Sequence, residues 1–200
     1  MNRNRDALCF RVVLRDIEPA IWRLIWVPAR YSFWDLHVAI QDAMGWLDYH
    51  LHEFQVPAGI GDEYVRFGIP DDDAWGDSPE TLPGWDYHLA HYVSEPKMVV
   101  RYVYDFGDGW IHDLTLEKIA PREKGVRYPR CVGGARACPP EDCGGPSGFF
   151  ELVQALRDPM HPQHSELTQW IPRGWTADRF EMEQVRFTNP TWRWRRAFGD

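Results

Sequence analysis

Three cysteines lie close together in a stretch that is otherwise rich in proline and glycine. They are Cys131, Cys138 and Cys143, and their spacing is C-x6-C-x4-C. Thiolates are soft ligands that suit zinc. The d-electrons of this ion impose no coordination geometry, so it accepts the tetrahedral arrangement that cysteine ligands usually form. The spacing therefore favours a zinc site. The same set of cysteines also allows one disulfide with a free thiol, or three reduced structural cysteines.

A closed zinc site needs a fourth protein ligand, and three histidines are candidates for that position. His112 lies in an apolar stretch, whereas His161 and His164 flank a predicted turn. The remaining cysteine, Cys9, lies in an apolar run near the N-terminus. Free cysteine behaves as a small hydrophobic residue, so we expect Cys9 to be buried and structural.

A second group of polar residues could bind a metal ion or transfer protons. The group comprises Asp48, His50, His52, Glu53, Asp105 and Asp108. Because alternate side chains of a strand point to the same side, His50 and His52 should share one face of a predicted strand over residues 50–56. Histidines and carboxylates are common general acids and bases. The alternative interpretation is a polar strand edge with packed histidines.

Two strands and a helix are predicted at the beginning of the chain. Apolar, β-branched runs predict strands over residues 8–14 and 21–27. A helix is predicted over residues 33–44, since Ser32 can cap its first turn and Gly45 can end it. We expect these two strands and this helix to form part of the fold that positions the candidate metal ligands.

Three further strands are predicted in the middle of the chain, at residues 64–67, 98–104 and 110–117. The last two are joined by residues 105–109, which read DFGDG. This segment predicts a hairpin turn, because an Asp-Gly pair favours positive φ.

Two segments are expected to be irregular. Residues 57–96 are rich in Pro, Gly and Asp, and their acidic run at residues 71–73 predicts a solvated loop. Residues 121–148 have almost no apolar periodicity and predict a long loop rich in Cys, Pro and Gly. Such a loop is unusual inside a compact domain, which is a further reason to expect a metal ion there.

The last part of the chain is expected to be helical. Ser147 could cap a helix over residues 148–157, and shorter helices are predicted near residues 165–170 and 177–185. Residues 191–196 alternate Trp with Arg. This alternation is typical of a protected edge strand, and it could also clamp single-stranded nucleic acid by stacking.

These elements together predict an α+β fold. We expect a mixed, mostly antiparallel sheet packed with helices, together with the loop at residues 121–148. The length suits a single domain over residues 1–200, with a core at residues 8–187 and a tail at residues 188–200 that could be flexible.

The charge of the chain limits its partners. Lys and Arg number 22 against 30 Asp and Glu, which gives a net charge of −8. Non-specific binding to duplex DNA depends on neutralising phosphates, so no tight binding of this kind is expected. No apolar run is long enough for a transmembrane helix, and a cytoplasmic protein without a membrane partner is expected.

Four motifs in this order carry a resemblance to a known family. They are residues 44–54 (MGWLDYHLHEF), residues 104–112 (YDFGDGWIH), Cys131 with residues 137–145 (ACPPEDCGG), and residues 158–164 (DPMHPQH). The chain resembles the plasmid pRiA-type ORF-three-like family, also described as TnpR-like insertion-element passenger proteins. The resemblance implies an α+β fold and mobile-element cargo of bacteria or archaea. It implies no established activity.

The TnpR-like description suggests a resolvase, but the sequence does not favour one. Serine recombination needs a serine nucleophile among arginines that stabilise the transferred phosphate, and no such cluster is visible. We therefore expect a zinc-stapled interaction module that binds a protein or nucleic-acid partner. The alternative is a metal-dependent hydrolase that uses the strand histidines and carboxylates.

Overall fold

The structure is a computed structural model that describes residues 1–59, 61, 63–70 and 80–199. The acidic run at residues 71–73 lies outside these described residues. Eight strands of the described residues form one sheet. They are β1 (Asp6–Leu14), β2 (Trp22–Pro28), β3 (His52–Pro57), β4 (Tyr64–Gly68), β5 (Thr81–Pro83), β6 (Val99–Tyr104), β7 (Trp110–Pro121) and β8 (Arg130–Ala135).

The strands follow the order β5-β4-β3-β6-β7-β1-β2-β8 across the sheet. Every neighbouring pair is antiparallel except β4 and β5, which are parallel. The expected α+β fold with a mixed, mostly antiparallel sheet is therefore confirmed. The predicted strands at the N-terminus and in the middle of the chain all appear in the sheet, and Cys9 is buried in β1.

Five α-helices accompany the sheet in the described part of the chain. They are α1 (Phe33–Met44), α2 (Leu89–Tyr92), α3 (Gly145–Arg157), α4 (His164–Trp170) and α5 (Pro190–Phe198). None of these helices has both the length and the apolar composition that crossing a membrane would require.

Helix α1 has the predicted bounds. The Ser32 hydroxyl accepts a hydrogen bond from Asp35 N, and the Asp35 carboxylate accepts one from Ser32 N, which forms a capping box. Gly45 ends the helix at a φ of 93°. The buried face of α1 packs Leu36 and Ile40 into the main apolar core. This helix therefore fixes where the following loop, residues 46–51, begins.

The hairpin between β6 and β7 is also as predicted. The Asp105 Oδ1 atom accepts hydrogen bonds from Gly107 N at 2.9 Å and from Asp108 N at 3.2 Å. Gly109 closes the turn at a φ of 70°. One carboxylate oxygen of Asp105 thus holds the turn in place, as side chains of Asp often do in such turns.

The segment over residues 121–148 contains more regular structure than predicted. β8 pairs with β2 and lies at the edge of the sheet. Helix α3 begins at Gly145 rather than at residue 148, so Ser147 lies inside the helix and is not its cap. The apolar pattern missed β8 because its sequence is RCVGGA, which alternates poorly.

Two predictions for the C-terminal part were wrong. Residues 177–185 contain only a short 3-10 turn, Met182–Gln184, instead of a helix. The alternating Trp and Arg residues belong to helix α5 rather than to an edge strand, because Asn189 caps a helix there and Pro190 occupies its first turn. Arg193 of α5 pairs with Asp42 of α1 at 2.7 Å, so this end of the chain is docked.

We predict that Gly109→Val lowers the free energy of unfolding by about 1–2 kcal/mol, because valine is strained at positive φ. A Cβ at residue 109 would meet no atom within 4 Å, so the loss would come from the backbone alone. Gly109→Asn is the matched control, since asparagine tolerates this conformation, and it should lose clearly less. Equal urea-denaturation midpoints for the two variants would contradict this description of the turn.

Candidate metal centre

Three side chains from separate segments meet beside the turn between β6 and β7. His50 lies in the loop after α1, Asp105 begins the turn, and Asp142 lies between β8 and α3. His50 Nε2 is 3.2 Å from Asp142 Oδ1 and 3.6 Å from Asp105 Oδ2. One ligand atom from each of the three residues lies within 4.8 Å of the other two, and no other such set occurs among the described residues.

These distances suit a shared ion. Two ligand atoms that each lie about 2.1 Å from a metal ion lie about 3.0 to 3.4 Å from each other at ordinary coordination angles. The observed separations of 3.2 and 3.6 Å from His50 Nε2 are close to this range. A movement of the side chains that also brings the two carboxylates into this range would accommodate an ion between the three groups.

The His50 Nε2 atom lacks a hydrogen-bond partner in the part of the chain that the structure describes. It is buried, and it forms no hydrogen bond with any residue that the structure describes. Its contact with Asp142 is short enough for an ion pair, but its angles do not meet those of a hydrogen bond. A buried polar atom without a partner is costly, so such atoms in native structures call for a water or an ion.

Close backbone packing brings Asp142 to the turn. The Asp108 carboxylate accepts a hydrogen bond from Gly144 N at 3.1 Å. Gly145 lies directly against the same turn, and a Cβ on this residue would overlap the Asp108 carbonyl oxygen. The segment that precedes α3 therefore rests on the turn that carries Asp105.

A fourth side chain, that of Glu141, faces the same space. Its Oε2 atom lies 3.9 Å from His50 Nε2. Its Oε1 atom accepts hydrogen bonds from Leu47 N at 2.8 Å and from the Tyr104 hydroxyl at 3.0 Å. Burial raises the pKa of the Glu141 carboxyl above its ordinary value. Glu141 is thus held in a fixed position next to the three candidate ligands.

The candidate centre is open on one side. The side chain of Asp105 is 9% exposed, whereas that of Asp142 is 67% exposed. A cleft of about 880 Å³ reaches Glu141 and Asp142, and its walls include Trp46, Leu47 and Trp175. A ligand of moderate size could therefore approach the centre from the side of Asp142.

The two histidines of the predicted strand face are separated in the structure. β3 begins at His52, so His50 lies before the strand and the prediction of a shared face was wrong. The ring of His52 is buried and stacks on the ring of His37, with centroids 3.5 Å apart. His52 therefore belongs to the core, and its burial lowers its pKa well below the ordinary value.

Asp48 belongs to a neighbouring buried network. Its Oδ1 atom lies 2.7 Å from His37 Nε2, and the other ring nitrogen of His37 lies 2.8 Å from the Tyr102 hydroxyl. Arg193 of α5 approaches the second oxygen of Asp48 at 3.5 Å. This network ties the loop after α1 to the core and to the C-terminal helix.

The other candidates of the acidic group have structural partners. Glu53 accepts hydrogen bonds from Arg66 Nη1 at 2.8 Å and from the Thr81 hydroxyl at 3.0 Å, which joins three neighbouring strands. Asp108 holds Gly144, as described above. The sequence patterns therefore predicted His50 and Asp105 as site residues, but they did not predict Glu141 and Asp142.

The three clustered cysteines are reduced in the structure. Cys138 is buried, and Cys131 and Cys143 are partly buried. Burial raises the pKa of all three thiols, that of Cys143 to about 12. These sulfur atoms do not form a set within 4.8 Å among the described residues, so a zinc site built from them stays a prediction.

The three histidines proposed as a fourth zinc ligand lie apart from the candidate centre. His112 is fully buried on β7, beside Tyr102 and Trp46. His164 Nδ1 lies 2.8 Å from the carbonyl oxygen of Ala155. His161 lies in the turn before α4 and is partly buried. None of the three belongs to the set of ligand atoms that meet among the described residues.

Comparison with known families identifies the class of protein. Residues 6–184 match the family described as plasmid pRiA4b ORF-3-like protein, and the chain belongs to this family. The family membership that the four sequence motifs predicted is thereby confirmed. The mobile-element association that the resemblance implied stays a prediction.

Two relatives support the assignment. The chain is 37% identical over 161 residues to uncharacterized protein y4hQ of Sinorhizobium fredii. The aligned region covers 80% of this chain and 78% of the relative. It is also 37% identical to a protein of unknown function, MM3350, from Methanosarcina mazei Go1. The crystal structure of MM3350 superposes on this chain with a TM-score of 0.81, and the match covers 92% of this chain and 99% of MM3350.

We predict that the protein loses stability in mild acid because of its buried histidines. Burial lowers the pKa of His112 from 6.5 to about 4, so only the unfolded chain takes up this proton between those values. Stability is therefore full above pH 6.5 and falls as the pH falls towards 4. Between pH 7 and pH 5, the protonation of His112 in the unfolded chain should lower the free energy of unfolding by about 2 kcal/mol.

Urea denaturation at the two pH values measures this loss. His112→Phe removes the titrating group and keeps a ring of similar shape, so its loss between pH 7 and pH 5 should be smaller by about 2 kcal/mol. Leu114→Val is the control, since it changes a buried residue of the same strand that does not titrate, and it should keep the pH dependence of the parent. Equal pH dependence for the parent and His112→Phe would show that His112 is not held neutral.

Proposed function

We propose that this protein binds a divalent metal ion through His50, Asp105 and Asp142, and that the ion forms a hydrolytic centre. The observation that carries this proposal is the convergence of one ligand atom from each residue within 4.8 Å. These residues come from three segments that are distant in the sequence. The proposal places the metal ion at this centre and not among the cysteines.

The ligand set favours a particular kind of ion and site. One imidazole and two carboxylates suit zinc and other borderline divalent metals. A structural zinc site is usually closed by four protein ligands, whereas a catalytic site has three and keeps one position for water. Three converging ligands and the exposure of Asp142 support the open, catalytic type.

Glu141 is the candidate general base of this centre. Its carboxylate faces His50 Nε2 at 3.9 Å and is fixed by Leu47 N and the Tyr104 hydroxyl. In hydrolysis, the water oxygen would form a bond to the electrophilic atom of the substrate while the bond from that atom to the leaving group breaks. The water proton would pass to Glu141 and then to the leaving group. The adjoining cleft would hold the substrate.

A zinc-stapled interaction module is the second candidate function. One observation favours it. Cys131, Cys138 and Cys143 lie in one segment, and all three are free and at least partly buried. An ion bound there would hold this segment against the sheet and leave the surface available to a protein or nucleic-acid partner. The two candidates differ in which residues bind the ion, so variants can separate them.

We predict that metal-free protein binds one zinc ion per chain and that Asp105→Asn weakens this binding at least about ten-fold. Asparagine keeps the oxygen that caps the turn and removes the charged ligand atom, so the fold should be preserved. Asp113→Asn is the matched control, because Asp113 pairs with Arg15 on the sheet. Isothermal titration calorimetry under reducing conditions gives the stoichiometry and dissociation constant.

The same titration distinguishes the two candidate functions. Zinc binding that survives in Asp105→Asn but is lost in Cys138→Ser would overturn the proposed centre and favour the cysteine site. Zinc binding that is unchanged in Cys138→Ser and lost in Asp105→Asn would support it. No binding by the parent protein would contradict both.

We predict that Glu141→Gln keeps zinc binding within about two-fold and removes most hydrolytic activity, by about 100-fold or more, because glutamine cannot accept the proton. Chromogenic carboxylic and phosphate esters provide the assay, with and without zinc. Hydrolysis by the zinc-loaded variant at the rate of the parent would exclude Glu141 as the base.

A further inference from the structure

The loop after α1 has an unusual pattern of exposure. Leu47, Tyr49 and Leu51 are 59%, 68% and 50% exposed, although all three are large and apolar. The polar residues between them turn inward instead, since the side chains of Asp48 and His50 are only 13% and 27% exposed. This arrangement is the reverse of the pattern that solubility favours, so the apolar side chains need another explanation.

A fourth exposed apolar residue lies on the neighbouring segment. Phe106 follows Asp105 in the turn and is 57% exposed. The two segments lie side by side, because Asp105 N donates a hydrogen bond to the Leu51 carbonyl oxygen at 2.9 Å. Each of the four side chains is thus close in sequence to a candidate metal ligand. We name Leu47, Tyr49, Leu51 and Phe106 the apolar rim.

Acidic groups lie close to the segments that carry the apolar rim. Four carboxylates lie there, those of Asp105, Asp108, Glu141 and Asp142, and no Lys or Arg of the described residues forms an ion pair with any of them. A bound divalent ion would neutralise two of at most four negative charges. The surface therefore combines exposed apolar side chains with an excess of negative charge.

We propose that the apolar rim binds a polypeptide segment that carries both apolar and positively charged side chains. The negative charge of the surface favours this partner over a second copy of the chain, nucleic acid or an anionic membrane. A second copy of the chain would bring the same carboxylates face to face, and nucleic acid or an anionic membrane would bring further negative charge. A segment with apolar and basic side chains matches both properties of the surface.

This inference deepens the proposed function and rests on it for the role of the bound segment as substrate, since the segment would lie over the metal centre. The binding itself requires only the apolar rim and the carboxylates. Binding is therefore measured on both metal-free and zinc-loaded protein. Loss of zinc binding with retained peptide binding would refute the proposed function alone.

Fluorescence anisotropy with short labelled peptides tests the inference. The probe alternates leucine with lysine, and two control peptides replace either lysine by glutamate or leucine by serine. The probe should bind at least about ten-fold more tightly than either control. The double variant Tyr49→Ser, Phe106→Ser should weaken binding at least about ten-fold. The matched control, Met160→Ser with Trp192→Ser, changes exposed apolar residues elsewhere and should bind as the parent does.

Several outcomes would overturn the inference. Equal binding of the three peptides would do so, as would an equal effect of the two double variants. Tighter binding of a single-stranded oligonucleotide or of anionic phospholipid vesicles than of the probe would assign the surface to another class of partner. A dimer in sedimentation analysis that the Tyr49→Ser, Phe106→Ser variant dissociates would assign it to a second copy of the chain.

Discussion

The carboxylate of Asp105 is shared between the fold and the candidate centre. One of its oxygens accepts hydrogen bonds from Gly107 N and Asp108 N and so holds the turn between β6 and β7. The other oxygen faces His50 Nε2 at 3.6 Å. Asp105 also has a positive φ of 57°, a conformation that aspartate tolerates better than most residues. The same interaction that makes the hairpin possible thus directs a ligand atom towards the site.

The surroundings of Asp105 divide into a fixed side and an open side. Hydrogen bonds hold the loop of His50 through Leu47 N and Tyr49 N, which contact Glu141 and the Tyr104 hydroxyl. On the opposite side, Asp142 is exposed to solvent. A centre whose ligands are held by packed elements but which keeps one accessible side suits exchange of a bound molecule better than it suits a purely structural ion. The cleft, which both Leu47 and Asp142 line, adjoins this accessible side.

Local signals predicted the part of the structure that depends on local interactions. Ser32 and Gly45 marked the ends of α1, and the Asp-Gly pair marked the hairpin, because caps and turns are specified by a few neighbouring residues. The sequence also identified His50 and Asp105 as candidates. It could not bring Asp142 to them, since this contact depends on how the segment before α3 packs against the turn. The cysteine spacing is visible in the sequence and so predicted a site, whereas ligands from three distant segments leave no such pattern.

The location of a bound ion tests the central claim most directly. Crystals of the protein grown with zinc, measured at the zinc absorption edge, would give an anomalous difference map that shows where the ion lies. One peak is expected between His50 Nε2, Asp105 Oδ2 and Asp142 Oδ1, with Glu141 facing it. A peak among Cys131, Cys138 and Cys143, or no ordered zinc in a zinc-saturated crystal, would contradict the account.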